Sequence, residues 1–164
     1  LGSGDDANPY RGGSYSVVYL APYNYHRVHT PVTGQLTHWR YVPGALYPVN
    51  KMGLKHVPGL FARNERIIGH YDCEFGKCAV IMVGATFVGH MTVAFTDLKT
   101  NESQPSPGTV TANPAVEMTR GDEFGVFEMG STVVLLFDRD DLEPALPLGS
   151  SIVAGQAALR VHKG

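Results

Sequence analysis

The 164 residues predict a mainly β domain, and three observations carry that reading. Glycine (19) and proline (11) are abundant. Alternating or β-branched runs dominate, the pattern of short strands joined by tight turns. In the least regular stretch, between 51 and 63, prolines and glycines leave room for only a turn or two of helix. One domain of this length buries about two thirds of its unfolded surface, enough for a core of its own.

The elements follow in order. SYSVVYLAP (14–22) alternates and stops at Pro22, so it reads as a strand that delivers the segment YNYHRVHTP (23–31). GQLTHWRYVPG (34–44) alternates again, with Leu36, His38 and Arg40 on one face and Thr37, Trp39 and Tyr41 on the other. ALYPVNKMGLKHVPGLFARNER (45–66) is the excursion from the sheets that holds the one or two short helices. RIIGHYDCEFGKCAVIMVGA (66–85) supplies a hairpin that turns at EFGK. AVIMVGATFVGHMTVAF (79–95) carries no formal charge but is broken by Gly84, Gly89 and His90; it reads as two buried strands around a bend, not a membrane span. Residues 96–122 are polar and proline-bearing and read as a long exposed connection. GDEFGVFEMGSTVVLLF (121–137) gives a strand with Phe124 and Val126 on one side, a tight turn near Gly130, and a buried strand from Val133 to Phe137.

Composition excludes some classes. With 43% hydrophobic residues, 17% charged and a net charge of −2, nothing suggests a nucleic-acid surface. The start, LGSGDDANPYRGGS, has neither a basic nor an apolar signal region, and it reads as the loop at the edge of a fragment. Cys73 and Cys78 flank the EFGK turn; two small apolar strand residues is the favoured reading, a cross-turn disulfide the alternative. Two ligands do not make a zinc site.

Chemistry enters with Gly130–Ser131. Glycine tolerates a bent backbone and leaves its carbonyl open to the next side chain, so the serine hydroxyl can attack the peptide bond before it. That acyl shift from nitrogen to oxygen gives an ester whose elimination cuts the chain and leaves an amino-terminal pyruvoyl group. The hydroxyl needs a base, usually a histidine oriented by a carboxylate. YHRVH supplies His26 and His29, three apart, and a bent segment would let both reach one centre.

LAPYNYHRVHTPVTG (20–34), VPGALYPVN (42–50), LFARNERI (60–67), VGATFVG (83–89) and the 121–137 stretch resemble, in that order, the motifs of phosphatidylserine decarboxylases. The resemblance spans nearly the whole chain. It implies one catalytic domain over 1–164, partial at its front, with the β-chain part ending at Gly130 and the α-chain part starting at Ser131. It implies a sandwich- or barrel-like hybrid of short antiparallel strands. Met129 stands where leucine is common in the family. The second Gly-Ser, in LGSS (148–151), lacks the surrounding context, and LGSSIVAGQAAL resembles the family's closing strand.

The implied function is conversion of phosphatidylserine to phosphatidylethanolamine and carbon dioxide through a Schiff base with a pyruvoyl group derived from Ser131. No metal and no pyridoxal phosphate is required, and no site for either is read from the sequence. His29 matches the family's processing base and His26 the histidine of the decarboxylation step. Arg27, Asn64, Glu65 and Arg66 are candidates to meet substrate carboxylate or phosphate, with packing or ion pairing as the alternative. Leu60, Phe61, Met52 and Leu54 are candidates for an apolar lip that receives acyl chains. His38, His56, His70, His90 and His162 read as structural or surface residues. The family's aspartate partner of the processing histidine comes from a segment upstream of Leu1, so this chain alone is expected to stay largely uncleaved unless Asp72 or Asp122 substitutes. The partner is phosphatidylserine in a membrane, with peripheral attachment on the cytoplasmic side for the parent protein and a homodimer admitted. The alternatives are a serine hydrolase, disfavoured because GxSxG is absent, and a catalytically silent lipid- or partner-binding β-domain.

Overall fold

A computed structural model gives the three-dimensional structure and describes residues 1–86, 88, 90–101 and 108–162, the side chains of 108–114 excepted. The elements are α1 (Gly4–Ala7), a 3-10 turn (Asn8–Tyr10), β1 (Tyr15–Tyr19), β2 (Arg27–His29), β3 (Gly34–Val42), α2 (Lys51–His56), α3 (Leu60–Arg63), β4 (Arg66–Cys73), β5 (Gly76–Val83), β6 (Met91–Val93), β7 (Thr96–Lys99), β8 (Gly108–Met118), β9 (Glu123–Phe127), β10 (Thr132–Phe137), β11 (Leu142–Pro144) and β12 (Leu159–Val161). A six-stranded sheet runs β1-β10-β5-β4-β3-β8, a four-stranded sheet runs β2-β9-β6-β7, and β11 pairs with β12. The strand pairings are antiparallel, and the sheets do not close into a barrel.

The two larger sheets face each other across one core. Leu36, Ile67, Tyr71, Val80 and Met82 from the first meet Met91, Val93, Leu98, Phe124 and Phe127 from the second. Gly69 sets their closest approach, because a Cβ there would lie 2.5 Å from the Phe124 ring. The central strands β4 and β5 are buried on both faces, which is why their sequences read as continuous apolar runs. On the outer face Ile68, Ile81 and Val83 pack under Leu1, Val42 and Phe61. The β4–β5 hairpin turns on Glu74 and Phe75, and Gly76 takes the left-handed φ of 115° that the turn demands. Cys73 and Cys78 are free thiols; the register pairs Cys73 with Gly76, so the two cysteines do not oppose each other.

Four local expectations change. Strict alternation predicts Leu36 on one face with His38 and Arg40, but the register shift between Leu36 and His38 turns Leu36 into the core with Trp39 and Tyr41, while His38 and Arg40 face Asp6. Of the stretch 96–122 expected to be one exposed connection, 102–107 lie outside the described residues, Thr96–Lys99 is β7, and Gly108–Met118 is β8, an edge strand beside β3. Its register with β3 jumps from Leu36↔Val116 to His38↔Thr111, and Pro114 falls inside that irregularity, where a missing N–H costs no ladder bond. The expected amino-terminal loop contains α1, whose Ser3 hydroxyl accepts from the Asp6 N–H at 3.1 Å. The LGSSIVAGQAAL segment is exposed and turn-rich, with Gly149 and Gly155 at positive φ, and strand resumes only at Leu159. The two short helices between 51 and 63 are as expected. No helix among the described residues is long and apolar enough to cross a membrane.

The amino-terminal turns cover one buried histidine. His70 is 4% exposed, stacks on His38, contacts the Tyr10 hydroxyl, and has Asp6, Arg40 and the terminal amine nearby. Burial, with His38 second, pushes its pKa down to about 4, from an ordinary value near 6.5. The unfolded chain therefore binds more protons across this window, and stability is full above it and falls as pH drops from about 6.5 toward 4, by at most about 3 kcal/mol. Urea midpoints measured from pH 7.5 to 4 should fall less steeply for His70→Gln than for the parent; identical slopes would remove His70 as a source of acid sensitivity.

Candidate functional site

Three of the six connections between the two sheets are neighbours: 20–26 from β1 to β2, 84–90 from β5 to β6, and 128–131 from β9 to β10. They run side by side and satisfy one another. The Leu20 N–H donates to the Ser131 carbonyl at 2.7 Å, the Phe127 N–H to the His26 carbonyl at 3.0 Å, and the Glu128 N–H to the His90 carbonyl at 3.1 Å. Gly130 passes so close to the first connection that a Cβ would lie 2.2 Å from the Leu20 carbonyl oxygen. Only glycine fits there. Ser131 follows, 1% exposed, and its hydroxyl donates to the Val83 carbonyl at the end of β5. That carbonyl orients the hydroxyl but cannot take its proton.

Arg27–His29 is extended, not bent. Val28 is buried and Arg27 exposed, so by the two-residue period His26 shares the core-facing side with Val28, and His29 shares the outer side with Arg27. A register shift follows between Val28 and His29, where β9 contributes an extra residue. His26 lies beside Phe127, four positions before Ser131, and its Nδ1 is buried with no hydrogen-bond partner among the described residues. His29 lies three residues farther along, about 10 Å of extended chain. Its Nδ1 contacts the Gly121 carbonyl and its Nε2 the Tyr25 hydroxyl, both at 2.8 Å, and the Tyr25 ring stacks on the imidazole. The carbonyl can only accept, so Nδ1 carries the proton and Nε2 is the basic nitrogen. Asp72 pairs with Lys77 and Asp122 accepts from the Thr119 N–H, so neither supplies the contacts to the His29 ring.

The remaining candidates have structural duties. Arg27 pairs with Glu123 across β2 and β9. Asn64 is fully buried: its Oδ1 accepts from the Tyr47 N–H at 3.1 Å, and its Nδ2 donates to the Tyr47 and Gly84 carbonyls, each at 2.8 Å. Both amide hydrogens are used, so Asn64 ties the start of the 84–90 connection to Tyr47. The Arg66 guanidinium is turned inward onto the Ala62 and Asn64 carbonyls. Leu60 is in the core, Phe61 packs against it, and Met52 and Leu54 are exposed beside an open hollow of about 360 Å³ lined by Leu54, Val57, Leu60 and Phe61.

Sequence reasoning named Glu65 but missed its burial and its partners. The Tyr41 hydroxyl donates to Glu65 Oε2 at 3.3 Å, and Glu65 Oε1 has no partner among the described residues. Burial pushes the Glu65 carboxyl up, opposed by hydrogen bonds from Thr100 and Tyr41 and by His90, and burial with Glu65 pushes the Tyr41 phenol up to about 12. His90 Nδ1 contacts the Thr100 carbonyl. The available signal was position: Glu65 follows Asn64 in the ARNER motif and His90 closes the VGATFVG bend. The LGSS alternative lies in an open turn, where Gly149 has free space around it.

The family model for phosphatidylserine decarboxylase matches residues 1–160. The chain belongs to the phosphatidylserine decarboxylase family. It is 43% identical to the phosphatidylserine decarboxylase proenzyme of Brevibacillus brevis over 95% of its length and 57% of the relative's. It is 42% identical to that of Myxococcus xanthus over 84% and 49%, and 43% identical to that of an Anaeromyxobacter species over 93% and 56%. The chain thus spans about half the length of the curated relatives it matches.

The Asn64 clamp is testable. Asn64→Ala strands the Tyr47 N–H and two carbonyls in a buried corner, and each orphan costs roughly 1–3 kcal/mol. Urea unfolding should show a loss of at least about 2 kcal/mol. A loss under about 0.5 kcal/mol would mean that water takes over these bonds.

Proposed function

We propose that the protein carrying this chain is a pyruvoyl-dependent phosphatidylserine decarboxylase that cuts itself between Gly130 and Ser131. The observation that carries this is the placement of Ser131. Its hydroxyl is buried and held by a carbonyl, directly after a glycine whose position admits no side chain, at a crossover between sheets. The family's relatives are named proenzymes, which fits a chain that matures by cleavage.

In maturation Ser131 Oγ adds to the Gly130 carbonyl carbon, the C–N bond breaks, and the amine of Ser131 takes a proton. The ester eliminates through loss of the Ser131 α-proton, releasing the carboxylate of Gly130; water then replaces nitrogen as ammonia. His29 removes the hydroxyl proton, supported by the tautomer that Gly121 fixes, which leaves Nε2 basic. To reach Ser131 it must leave Tyr25. A second reading exchanges the histidines, and the register favours it, since His26 is nearer the Gly130–Ser131 bond and its buried Nδ1 has no partner among the described residues.

The site fits the prosthetic group because Ser131 is its source and His26 Nδ1 and Thr132 Oγ1 are buried polar atoms lacking partners among the described residues. Once formed, the pyruvoyl group supplies the electron sink for loss of carbon dioxide from phosphatidylserine. His26 returns a proton to the substrate's α-carbon, a step for which an imidazole can carry the proton on either ring nitrogen. Exposed Met52 and Leu54, beside the hollow at 54–62, face the acyl chains of a lipid met peripherally at the cytoplasmic membrane surface.

The test is made in the protein carrying this chain. Ser131→Ala should abolish cleavage, read as one band on a gel; two fragments persisting would sink the proposal, and a cut after Gly149 would move it. His29→Ala should stay uncleaved, while His26→Ala should be cut yet release carbon dioxide at least 100-fold more slowly, the range that proton transfer contributes. The opposite pattern establishes the exchanged roles.

A further inference from the structure

Away from the Gly130–Ser131 corner, under the amino-terminal turns, three side chains far apart in sequence meet. Asp6 from α1, His38 from β3 and His70 from β4 each offer a ligand atom, and these atoms all lie within 4.8 Å of one another. We propose that Asp6, His38 and His70 bind one divalent transition-metal ion of the zinc class, fastening the amino-terminal segment to the six-stranded sheet.

The hydrogen bonds around the cluster set both imidazoles for coordination. The Thr37 hydroxyl donates to the His70 carbonyl at 3.2 Å, so at 3.0 Å it accepts from His38 Nδ1–H. The lone pair of His38 is thereby left on Nε2, which lies 3.8 Å from Asp6 Oδ1. The Tyr10 hydroxyl holds His70 Nδ1 at 3.2 Å, and His70 Nε2 is buried with no hydrogen-bond partner among the described residues. A metal-binding histidine characteristically has its second nitrogen engaged in this way. Arg40 Nη2 pairs with Asp6 Oδ2 at 2.9 Å, which orients the carboxylate and leaves Oδ1 toward His38.

The frame and the space are also present. His38 and His70 are directly paired across β3 and β4, so their backbones are fixed by the sheet. A cavity of about 100 Å³, lined by Asp6, Tyr10, Thr37, His38 and His70, borders the three groups and has room for an ion and a water. Two imidazoles, one carboxylate and an open fourth position suit zinc, with copper(II) held more tightly by the same donors. The rings stack at 4.2 Å and 9°, so binding requires them to fan apart; His38, the more exposed of the two, is the one with freedom to turn. An ion bound by the folded chain alone raises its melting temperature.

The test uses the protein carrying this chain, stripped with a chelator, and zinc chloride as the probe. Calorimetric titration should give one equivalent with a dissociation constant in the micromolar range or tighter. Cobalt(II) should develop the visible absorption of a four-coordinate site, and saturating zinc should raise the melting temperature. His70→Gln, His38→Gln and Asp6→Asn should each weaken binding at least tenfold, with His162→Ala, at the separate surface pair with Glu143, unchanged. If His70→Gln fails to fold, His38→Gln alone decides, because His38 is part-exposed and its substitution leaves the core intact. No saturable equivalent, or binding undiminished by the decisive variant, overturns the proposal. Cleavage at Gly130–Ser131 is read separately, so either assignment can fail alone.

Discussion

Gly130 and the Leu20 carbonyl cannot both hold their places if anything larger than hydrogen stands between them. This contact is the constraint from which the site follows. A sandwich whose chain crosses six times between its sheets brings three of those crossings together in one corner, and each brings N–H and C=O groups that no ladder satisfies. The solution is mutual: Leu20 serves Ser131, Phe127 serves His26, and Glu128 serves His90. Asn64 completes it from outside, spending its whole side-chain amide on Tyr47 and Gly84.

The same constraint shapes the chemistry. A serine in an open turn has a solvated, freely rotating hydroxyl; Ser131 has one fixed orientation in a dry pocket, with its own preceding peptide as the adjacent electrophile. Proximity of that kind replaces a bimolecular encounter and lowers the barrier by prepaid entropy. What the corner does not provide is a base in contact with the hydroxyl, since Val83 presents only a carbonyl. For the proposed cleavage the base would come from the neighbouring segment, where His26 just before β2 has no partner for its Nδ1 among the described residues and His29 at the end of β2 has its tautomer already set.

Sequence patterns exposed the sheets well because hydrophobic period is a local property. β3, β4, β5, β9 and β10 lie where alternation or apolar runs placed them, and the two short helices fall within 51–63. β8 was hidden because an edge strand needs little apolar character on its open side and tolerates Pro114 at a register break. The close passage at Gly130–Ser131 was legible through its glycine and the motifs around it. The burial of Asn64 and Arg66 was not, because a polar side chain that serves the backbone looks in sequence like one that serves a ligand. The straightness of Arg27–His29 was equally out of reach, being decided by pairing with β9, nearly a hundred residues away.

Buried polar atoms lacking a hydrogen-bond partner tie the two halves of this picture together. Among the described residues they are Asp6 Oδ2, which has only its ion pair with Arg40, and His26 Nδ1, Arg40 Nε, Glu65 Oε1, His70 Nε2 and Thr132 Oγ1, and they gather in two places. His26, Glu65 and Thr132 surround the crossover corner; Asp6, Arg40 and His70 lie beneath α1. Each such atom costs roughly 1–3 kcal/mol when nothing satisfies it, so scattered orphans would be a weakness of packing, while orphans in two groups mark places where another chemical species completes the structure. At the corner that species would be the reacting centre that the proposed cleavage makes from Ser131. Beneath α1 the donors are two imidazoles and a carboxylate, a set whose shared affinity is for a cation, and the Arg40 guanidinium pairs with Asp6 Oδ2 and leaves Oδ1 toward His38. The sheets supply enough buried apolar surface to tolerate both sites, and it is their distinct donor chemistry that separates a catalytic role from a fastening one.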